Sequence, residues 1–389
     1  MLFRLLITLL RVVGAEQLAY PVRQLSRGSL RTLLSRTLRL RRLAAAMAAA
    51  DPVPPLPIRL QIETTDICNM KCVMCTREVL DGMNTTTMSL DQFTKIVGEI
   101  EPFYATLNGL GEPLIDSTIF EKLDFLHTRG IVTAMPTNGT YIRGERLEKL
   151  AAKLPDTVTF SIDGTTKSSY EQIRVLGNFD QSIRNYRDLL QLRRDGKTRP
   201  NTRIQILVVL MKANLYDFRH MCDLRNSLPG IDSLHIVPFF DYDAEGNAFS
   251  HLVPTPDEVK AMLPELDGAI KATPNEADKE FYQCWRAAAE EWLVPVRGGV
   301  FSKDACLVPW YSTYIDAKGT VYPCCYLTNS EHVMGNINHS GLREIWRSPA
   351  YQTFRGRLAT ARQYLPGCRT CPKNDNGPLG QLQRFKALL

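Results

Sequence analysis

Between residues 58 and 240 the chain alternates short apolar segments with longer amphipathic ones. The short segments have the composition of strands, and the longer segments carry apolar residues at helical spacing. Parallel strands need a crossover between them, and this crossover is usually a helix. The predicted fold class is therefore α/β. Six strands predict a partial (β/α)6 TIM-like barrel, because a full barrel needs eight.

The predicted strands of this barrel are residues 58–63, 105–110, 132–137, 157–162, 204–211 and 233–239. The predicted helices that accompany them are residues 90–100, 119–129, 146–153, 179–194 and 215–227. In such an array the functional residues collect at the carboxyl ends of the strands. The residues that directly follow each strand are therefore the candidates for chemistry.

Beyond the barrel the chain changes character. Two helices are predicted at residues 256–272 and 275–293, and the segment from Cys306 onward is rich in cysteine. A hairpin is predicted over residues 311–322, with its turn at Lys318-Gly319, because glycine adopts the backbone conformations that tight turns need.

Three cysteines follow the first predicted strand within eight residues, at Cys68, Cys72 and Cys75. Thiols this close together are usually metal ligands or disulfide partners. Most of the ten cysteines occur in tight groups, which indicates metal ligation in a reducing, cytoplasmic compartment. Zinc needs a fourth ligand, whereas a cubane iron–sulfur cluster can be held by three cysteines with one iron left open. The residues alone leave both kinds of metal centre open.

The formal net charge of +6 is unevenly distributed along the chain. The first fifty residues contain nine arginines and one glutamate, so they carry +8 and the rest of the chain carries −2. A near-neutral body argues against an enzyme that binds nucleic acid.

The basic N-terminal segment has no stretch that could span a membrane. Its longest apolar stretch, residues 5–10, is far shorter than the roughly 20 residues that a bilayer requires. Leucines from residue 30 onward recur at near-helical spacing with arginines between them, which predicts an amphipathic helix. Four readings stay open: peripheral contact with a membrane through residues 1–50, docking of a partner, an organellar presequence, or packing on the enzyme body. Residues 51–57 contain four prolines and predict a linker.

The spacing of the first three cysteines resembles the CxxxCxxC signature of the radical S-adenosylmethionine (radical SAM) family. The resemblance implies that Cys68, Cys72 and Cys75 hold a catalytic [4Fe–4S] cluster, whose open iron binds the amino and carboxylate groups of S-adenosylmethionine (SAM). The second predicted strand ends in Gly109-Leu110-Gly111-Glu112-Pro113. This stretch resembles the turn that holds the amino group of the SAM methionine in that family.

The same resemblance implies further contacts with SAM. Asn138 follows the third predicted strand, and Ser161 and Asp163 stand at the end of the fourth, where relatives line the SAM pocket. Arg174 is the candidate for the SAM carboxylate, because a guanidinium binds a carboxylate with two parallel hydrogen bonds. The alternatives are ordinary turn residues and a surface arginine. Met74 departs from the pattern, since an aromatic residue often packs on adenine at this position, although a thioether can also contact a ring.

The C-terminal cysteines resemble the SPASM extension of radical SAM enzymes, a small α+β domain that holds auxiliary iron–sulfur clusters. Full versions carry more cysteines and two clusters. The four candidate ligands here are Cys306, Cys324, Cys368 and Cys371. They suffice for one auxiliary [4Fe–4S] cluster, with a zinc ribbon-like site as the alternative. Cys325 adjoins Cys324 and is an alternative ligand.

By this resemblance the chain is a radical SAM oxidoreductase. Its cluster would cleave SAM to a 5′-deoxyadenosyl radical that takes hydrogen from a substrate C–H bond, and the auxiliary cluster would relay electrons. The implied partners are an electron donor of the flavodoxin or ferredoxin type and a small-molecule or peptide substrate. The oxidative modification of a small molecule or a membrane-associated biosynthetic intermediate is the first reading. A peptide or protein maturase, a redox-neutral epimerase and a non-catalytic metal-binding module are the alternatives.

The predicted domains are residues 1–57, a basic helix and linker; 58–250, the barrel; 251–300, bridging helices; and 301–389, the SPASM-type domain. Two lone cysteines remain, and most such residues are buried and inert. In an epimerase, Cys284 or Cys325 could return a hydrogen atom. A substrate-facing base is expected after the sixth strand, unless that segment is a solvated loop. The candidates are Asp241, Tyr242, Asp243 and Glu245.

Overall fold

The computed structural model describes residues 30–80, 85–241, 248–293, 306–328, 331–368 and 371. The predictions for residues 1–29 and for Tyr242, Asp243 and Glu245 lie outside the described residues.

In the described part of the chain the strands form one large sheet and a separate two-stranded pair. The strands are β1 (Arg59–Ile62), β2 (Lys71–Cys72), β3 (Tyr104–Leu107), β4 (Val132–Thr137), β5 (Thr157–Ser161), β6 (Arg174–Val175), β7 (Arg203–Leu210), β8 (Ser233–Pro238), β9 (Ser312–Ile315), β10 (Thr320–Tyr322) and β11 (Gly335–Asn336). Strands β1, β3, β4, β5, β7 and β8 lie side by side in this order, and all five pairings between them are parallel. The six predicted barrel strands and the α/β fold class are therefore confirmed.

The helices that follow the strands cover the outside of the sheet. The helices are α1 (Leu30–Ala48), α2 (Leu90–Ile100), α3 (Ile119–Thr128), α4 (Glu145–Ala152), α5 (Lys167–Ile173), α6 (Phe179–Arg194), α7 (Phe218–Asn226), α8 (Pro256–Ala272), α9 (Glu276–Glu290), α10 (Val308–Tyr311), α11 (Leu342–Trp346) and α12 (Pro349–Ala361). The predicted bounds of α2, α6 and α8 are confirmed residue for residue. Helix α2 begins after a capping box, in which Ser89 Oγ accepts a hydrogen bond from the Gln92 amide and Gln92 Oε1 accepts one from the Ser89 amide, both at 3.1 Å.

The C-terminal hairpin extends the barrel sheet. Strand β9 pairs in parallel with β1, with Arg59 opposite Ser312 and Ile62 opposite Ile315. Strand β10 then returns antiparallel to β9, and Gly319 takes a φ of +85° in the turn between them, so the predicted hairpin is confirmed. The carboxyl end of β9 therefore lies beside the carboxyl end of β1, at the edge where barrel chemistry collects.

Helix α1 packs on the body of the enzyme, which is one of the four alternatives that the sequence left open. Its residues Leu40, Leu43 and Met47 are buried in the main apolar core. The guanidinium of Arg39 donates hydrogen bonds to the carbonyl oxygens of Pro57 at 2.6 Å and Ile100 at 3.2 Å. The apolar face of α1 is therefore occupied, and the predicted peripheral membrane contact finds no support in this helix. Among the described residues, no helix is long and apolar enough to cross a membrane.

The proline-rich segment after α1 is fixed by side chains of the C-terminal part. Trp310 Nε1 donates to the Asp51 carbonyl at 2.7 Å, and Trp346 Nε1 donates to the Pro55 carbonyl at 3.0 Å. Residues 51–57 therefore run along the C-terminal helices as a bound strap rather than as a free linker.

Candidate active site

The loop that carries the first three cysteines is held against the end of α5. Strand β2 pairs with β6, which places Cys72 opposite Arg174, and the Val73 amide donates to the Ile173 carbonyl at 2.9 Å. The guanidinium of Arg77 is buried beneath this loop and donates hydrogen bonds to the carbonyl oxygens of Met70 and Cys68. These contacts shape the loop without using the thiols.

The thiols of Cys68, Cys72 and Cys75 are mostly withdrawn from solvent. Burial raises the pKa of each thiol, and raises that of Cys75 to about 11, with the neighbouring thiols adding to the effect. A thiolate in such a place needs positive charge beside it. Arg174 Nη1 lies 3.8 Å from Cys72 Sγ, and Asn138 Nδ2 lies 4.0 Å from Cys68 Sγ, so N–H groups point at two of the sulfurs.

The glycine turn after β3 fits tightly against the end of β1. A Cβ atom at Gly111 would overlap the carbonyl oxygen of Thr65, and a Cβ atom at Gly109 would overlap the side chain of Glu63. Only glycine permits this approach. The buried carboxylate of Glu112 lies against the end of β4, where it accepts hydrogen bonds from Thr137 Oγ1 and from the Asn138 amide, both at 2.7 Å. The turn therefore joins the ends of three neighbouring strands.

We expect Gly111→Ala to destabilise the protein and to open this turn, because the new methyl group meets backbone that cannot rotate away. The matched control is Gly98→Ala, since a Cβ atom in that place meets nothing within 4 Å and Gly98 lies inside helix α2. Alanine there is expected to stabilise the helix by about 0.5–1 kcal/mol. Thermal unfolding followed by circular dichroism compares the two variants, and equal shifts in the same direction would contradict the role given to Gly111.

Arg174 and Asp163 form a buried ion pair beside the cysteine loop. The distance between Arg174 Nη2 and Asp163 Oδ2 is 2.5 Å, and Asp163 Oδ1 accepts from the Val209 amide at 2.8 Å. Asp163 was predicted to line the SAM pocket, and in the structure its carboxylate contacts Arg174 and the Val209 amide. Arg174 Nε is buried and makes no hydrogen bond among the described residues. This buried N–H group still needs an acceptor.

A cavity of about 320 Å³ opens between the cysteine loop and the C-terminal segment. Cys72, Met74 and Cys75 line one side of it, and Cys325 and Tyr326 line the other. The other lining residues are Thr76, Leu110, Arg174 and Thr328, and we call this space the cluster cavity. Thiol sulfurs and an unsatisfied guanidinium N–H are the donor set that an iron–sulfur cluster and a carboxylate ligand require, so the residues present fit both groups.

A second group of thiols consists of Cys306, Cys324, Cys368 and Cys371, with Cys325 beside it. Burial raises the pKa of Cys324 well above its ordinary value, and the thiols of Cys325, Cys306, Cys368 and Cys371 raise it further. Among the described residues, no three potential ligands converge closely enough to hold one metal ion. Four thiolates can ligate one cubane, so these residues fit an auxiliary [4Fe–4S] cluster.

The remaining predicted residues are distributed as follows. Ser161 is the last residue of β5, half-buried. Cys222 is buried in the apolar core. Cys284 is exposed on α9 and belongs to neither group of cysteines. Asp241 accepts a hydrogen bond from the Phe249 amide at 3.2 Å.

Sequence reasoning missed three buried charged residues at this edge of the sheet, namely Glu63, Asp66 and Arg77. The carboxylate of Glu63 accepts from the Leu110 amide at 2.5 Å and from the Ala317 amide at 3.0 Å, so it joins β1, the glycine turn and the hairpin. The available signal was the position of Glu63 and Asp66 directly after the first strand. For Arg77 the sequence holds no signal.

The partial barrel and the two groups of cysteines define an iron–sulfur cluster protein of the β/α-barrel class. The profile of the Radical SAM superfamily matches residues 62–223, and that of the SPASM iron-sulfur cluster-binding domain matches residues 306–372. The chain belongs to the radical SAM superfamily and carries a C-terminal SPASM extension. Its cofactors are S-adenosylmethionine and two [4Fe–4S] clusters, as the sequence predicted.

Two groups of relatives are similar along most of the chain. The AdoMet-dependent heme synthase of Nitratidesulfovibrio vulgaris is 27% identical over 79% of this chain and 83% of its own length. The mycofactocin maturase MftC of Mycolicibacterium smegmatis is 24% identical, over 77% of this chain and 75% of its own.

Solved structures share the fold. Streptococcus suis SuiB bound to its precursor peptide SuiA superimposes with a TM-score of 0.60 at 15% identity, over 88% of this chain and 76% of SuiB. The enzyme anSMEcpe with bound AdoMet gives a TM-score of 0.57 at 18% identity, over 86% of this chain and 93% of its own.

Proposed function

We propose that this protein reductively cleaves SAM and abstracts a hydrogen atom from a substrate C–H bond, with the auxiliary cluster relaying the electron that is left. One observation carries the proposal. The cluster cavity is lined on one side by Cys72 and Cys75 and on the other by Cys325, next to the auxiliary group. A substrate in this cavity would lie between the two redox centres.

Individual residues of the chain would bind the first cluster and SAM. Cys68, Cys72 and Cys75 hold the first cluster, which when bound supplies the electron that splits SAM into methionine and the 5′-deoxyadenosyl radical. Arg174 lies at the cluster cavity with its unsatisfied Nε and is the residue that would bind the SAM carboxylate. The polar contacts proposed for the turn at residues 109–113, for Asn138 and for Ser161 would fix the rest of SAM.

The apolar part of the cluster cavity lining would help to exclude water from the radical. Met74 and Leu110 both face this space, and Met74 would contact the adenine. A reactive radical needs such a dry site, because the protein's contribution is to position the substrate and exclude side reactions. An external donor of the flavodoxin or ferredoxin type would supply the first electron.

We propose that the net reaction is an oxidation of a small molecule. The heme synthase among the relatives supports a small-molecule substrate. A peptide maturase is the second candidate, because the mycofactocin maturase is among the relatives. An epimerase stays a candidate as well, since Cys325 lines the cluster cavity, and in that case Cys325→Ala would stop turnover without stopping SAM cleavage.

We expect Cys368→Ser to remove the auxiliary cluster while the first cluster still assembles. The variant should contain about four irons per chain instead of about eight, and it should still cleave SAM. The matched control is Cys284→Ser, because Cys284 is exposed and lies outside both groups of cysteines. Iron analysis and 5′-deoxyadenosine release are measured on anaerobically purified protein. If Cys368→Ser keeps the full iron content, the assignment of this ligand is wrong.

A further inference from the structure

A second cavity, of about 190 Å³, adjoins the cluster cavity, and Leu110 and Thr328 line both. It lies where the carboxyl end of β1 meets the hairpin of β9 and β10. The lining residues include Glu63, Asp66, Tyr314, Asp316, Lys318 and Tyr322. We call this space the acidic cavity, because three of these side chains are carboxylates and one is an amine.

The carboxylate of Asp66 is the feature of this cavity that most clearly points to a bound ligand. Its side chain is 1% exposed, and Asp66 Oδ1 accepts hydrogen bonds from the amides of Thr85 at 2.7 Å and Thr86 at 2.8 Å. Asp66 Oδ2 is buried and has no hydrogen-bond partner among the described residues. A buried carboxylate oxygen without a donor is unfavourable, and natural proteins rarely leave one unsatisfied. The atom therefore requires a donor that the described residues do not supply.

The other two carboxylates add negative charge to the same space. Glu63 is 2% exposed and is fixed by the amides of Leu110 and Ala317. Asp316 Oδ1 accepts from the Thr320 amide at 2.7 Å. Burial raises the pKa of Glu63 to about 7, so its charge is added as the pH rises through neutrality. An anionic ligand would be repelled from this position.

The walls of the acidic cavity are partly aromatic, since the rings of Tyr314 and Tyr322 stand 6.3 Å apart with a tilted orientation. Carboxylates combined with aromatic faces suit an organic cation, which gains from both.

We propose that the acidic cavity binds a primary ammonium group of the substrate, with Asp66 Oδ2 as its principal acceptor. This inference rests on the proposed function, because it places the rest of the substrate in the cluster cavity. An ammonium offers three N–H donors, and one of them satisfies Asp66 while the others face Glu63 and Asp316. The carbon atoms next to the ammonium then extend past Leu110 toward Cys72 and Arg174.

Equilibrium binding of simple amines tests this inference. The probes are the lysine derivative Nα-acetyl-lysine N-methylamide and the amino sugar glucosamine, and their neutral counterparts are the norleucine derivative and glucose. Calorimetry is performed on the anaerobic holoprotein with SAM bound. We expect the amines to bind and the neutral probes not to bind. Asp66→Asn should weaken amine binding about tenfold or more, since hydrogen bonds to charged groups contribute about 1.5–3 kcal/mol.

Two further variants keep the test decisive. Asp257→Asn makes the same chemical change at a side chain that is 94% exposed, and it should leave binding unchanged. Lys318→Met removes the cation of the acidic cavity without altering Asp66, and it should tighten amine binding about two- to fivefold. If Asp66→Asn fails to fold, Lys318→Met still decides, because unchanged or weaker binding in that variant would contradict the inference.

The possible results distinguish a failure of the proposed ammonium site from a failure of the proposed function, SAM cleavage. Binding of the lysine probe alone indicates a peptide side chain, and binding of glucosamine alone indicates a small amine. Equal binding of charged and neutral probes, or of Asp66→Asn and wild type, overturns the ammonium site. SAM cleavage is measured on the same preparations without any probe. A protein that cleaves SAM but ignores the amines refutes only the ammonium site, and one that binds the amines but leaves SAM intact refutes the proposed function.

Discussion

Replacing Cys72 with alanine is expected to abolish SAM cleavage. Cys72 is the middle cysteine of its group, faces the cluster cavity, and lies 3.8 Å from Arg174 Nη1. Without its thiolate the first cluster would keep only two ligands, which is too few to hold a cubane in place. Release of 5′-deoxyadenosine under a strong reductant should fall to the rate without protein.

Controls for Cys72→Ala must distinguish loss of the first cluster from loss of the auxiliary cluster. Cys284→Ala removes an exposed thiol and should cleave SAM at the wild-type rate. Iron analysis of Cys72→Ala should give about four irons per chain, all of them in the auxiliary cluster. If Cys72→Ala keeps this auxiliary cluster and still releases 5′-deoxyadenosine, the catalytic cluster is held elsewhere.

Asp163→Asn is expected to destabilise the protein severely. The ion pair between Asp163 and Arg174 is almost fully buried, and removal of one partner leaves the other charge uncompensated. Such a loss lowers the free energy of unfolding by about 3–5 kcal/mol. The unfolding midpoint in guanidinium chloride, followed by circular dichroism, measures the effect.

Two comparisons test the cause of that loss. The double variant Asp163→Asn with Arg174→Met removes the buried charge, so it should recover much of the lost stability while SAM binding stays impaired. Glu145→Gln breaks the exposed ion pair with Lys149 and should leave the midpoint nearly unchanged. If the double variant is no more stable than Asp163→Asn alone, uncompensated charge is not the reason for the destabilisation.

The barrel could be predicted from the sequence because its signals are local. The spacing of apolar residues within a short segment is enough to indicate each strand and helix, as the bounds of α2, α6 and α8 illustrate. The pairing of β9 with β1 could not be predicted, because it joins residues about 250 positions apart and neither strand encodes its neighbour. That pairing brings the hairpin to the same edge as the cysteine loop.

The candidate site divides in a similar way. The cysteine groups could be found because their spacing is specific to cluster ligation. The contacts of Asp163 could not be found, since the ion pair with Arg174 depends on how α5 returns to the cysteine loop. Glu63 and Asp66 look like ordinary polar residues after a strand. Only the tertiary structure reveals that both are buried and that Asp66 Oδ2 lacks a donor.

The position of the hairpin also explains why two cavities meet at one place. Leu110 from the glycine turn and Thr328 from the C-terminal segment line both the cluster cavity and the acidic cavity. One side of this shared wall faces the thiols, and the other faces three carboxylates. A substrate anchored in the acidic cavity would therefore present its neighbouring carbon atoms to the cluster cavity.

The most direct test of this account is the fate of SAM on the wild-type protein. Anaerobically purified protein with about eight irons per chain is mixed with SAM and a strong one-electron reductant, and both products are quantified. We expect 5′-deoxyadenosine and methionine to appear in equal amounts, and neither product to appear without reductant. Protein that carries both clusters and binds SAM, but releases neither product, would contradict the proposed SAM cleavage.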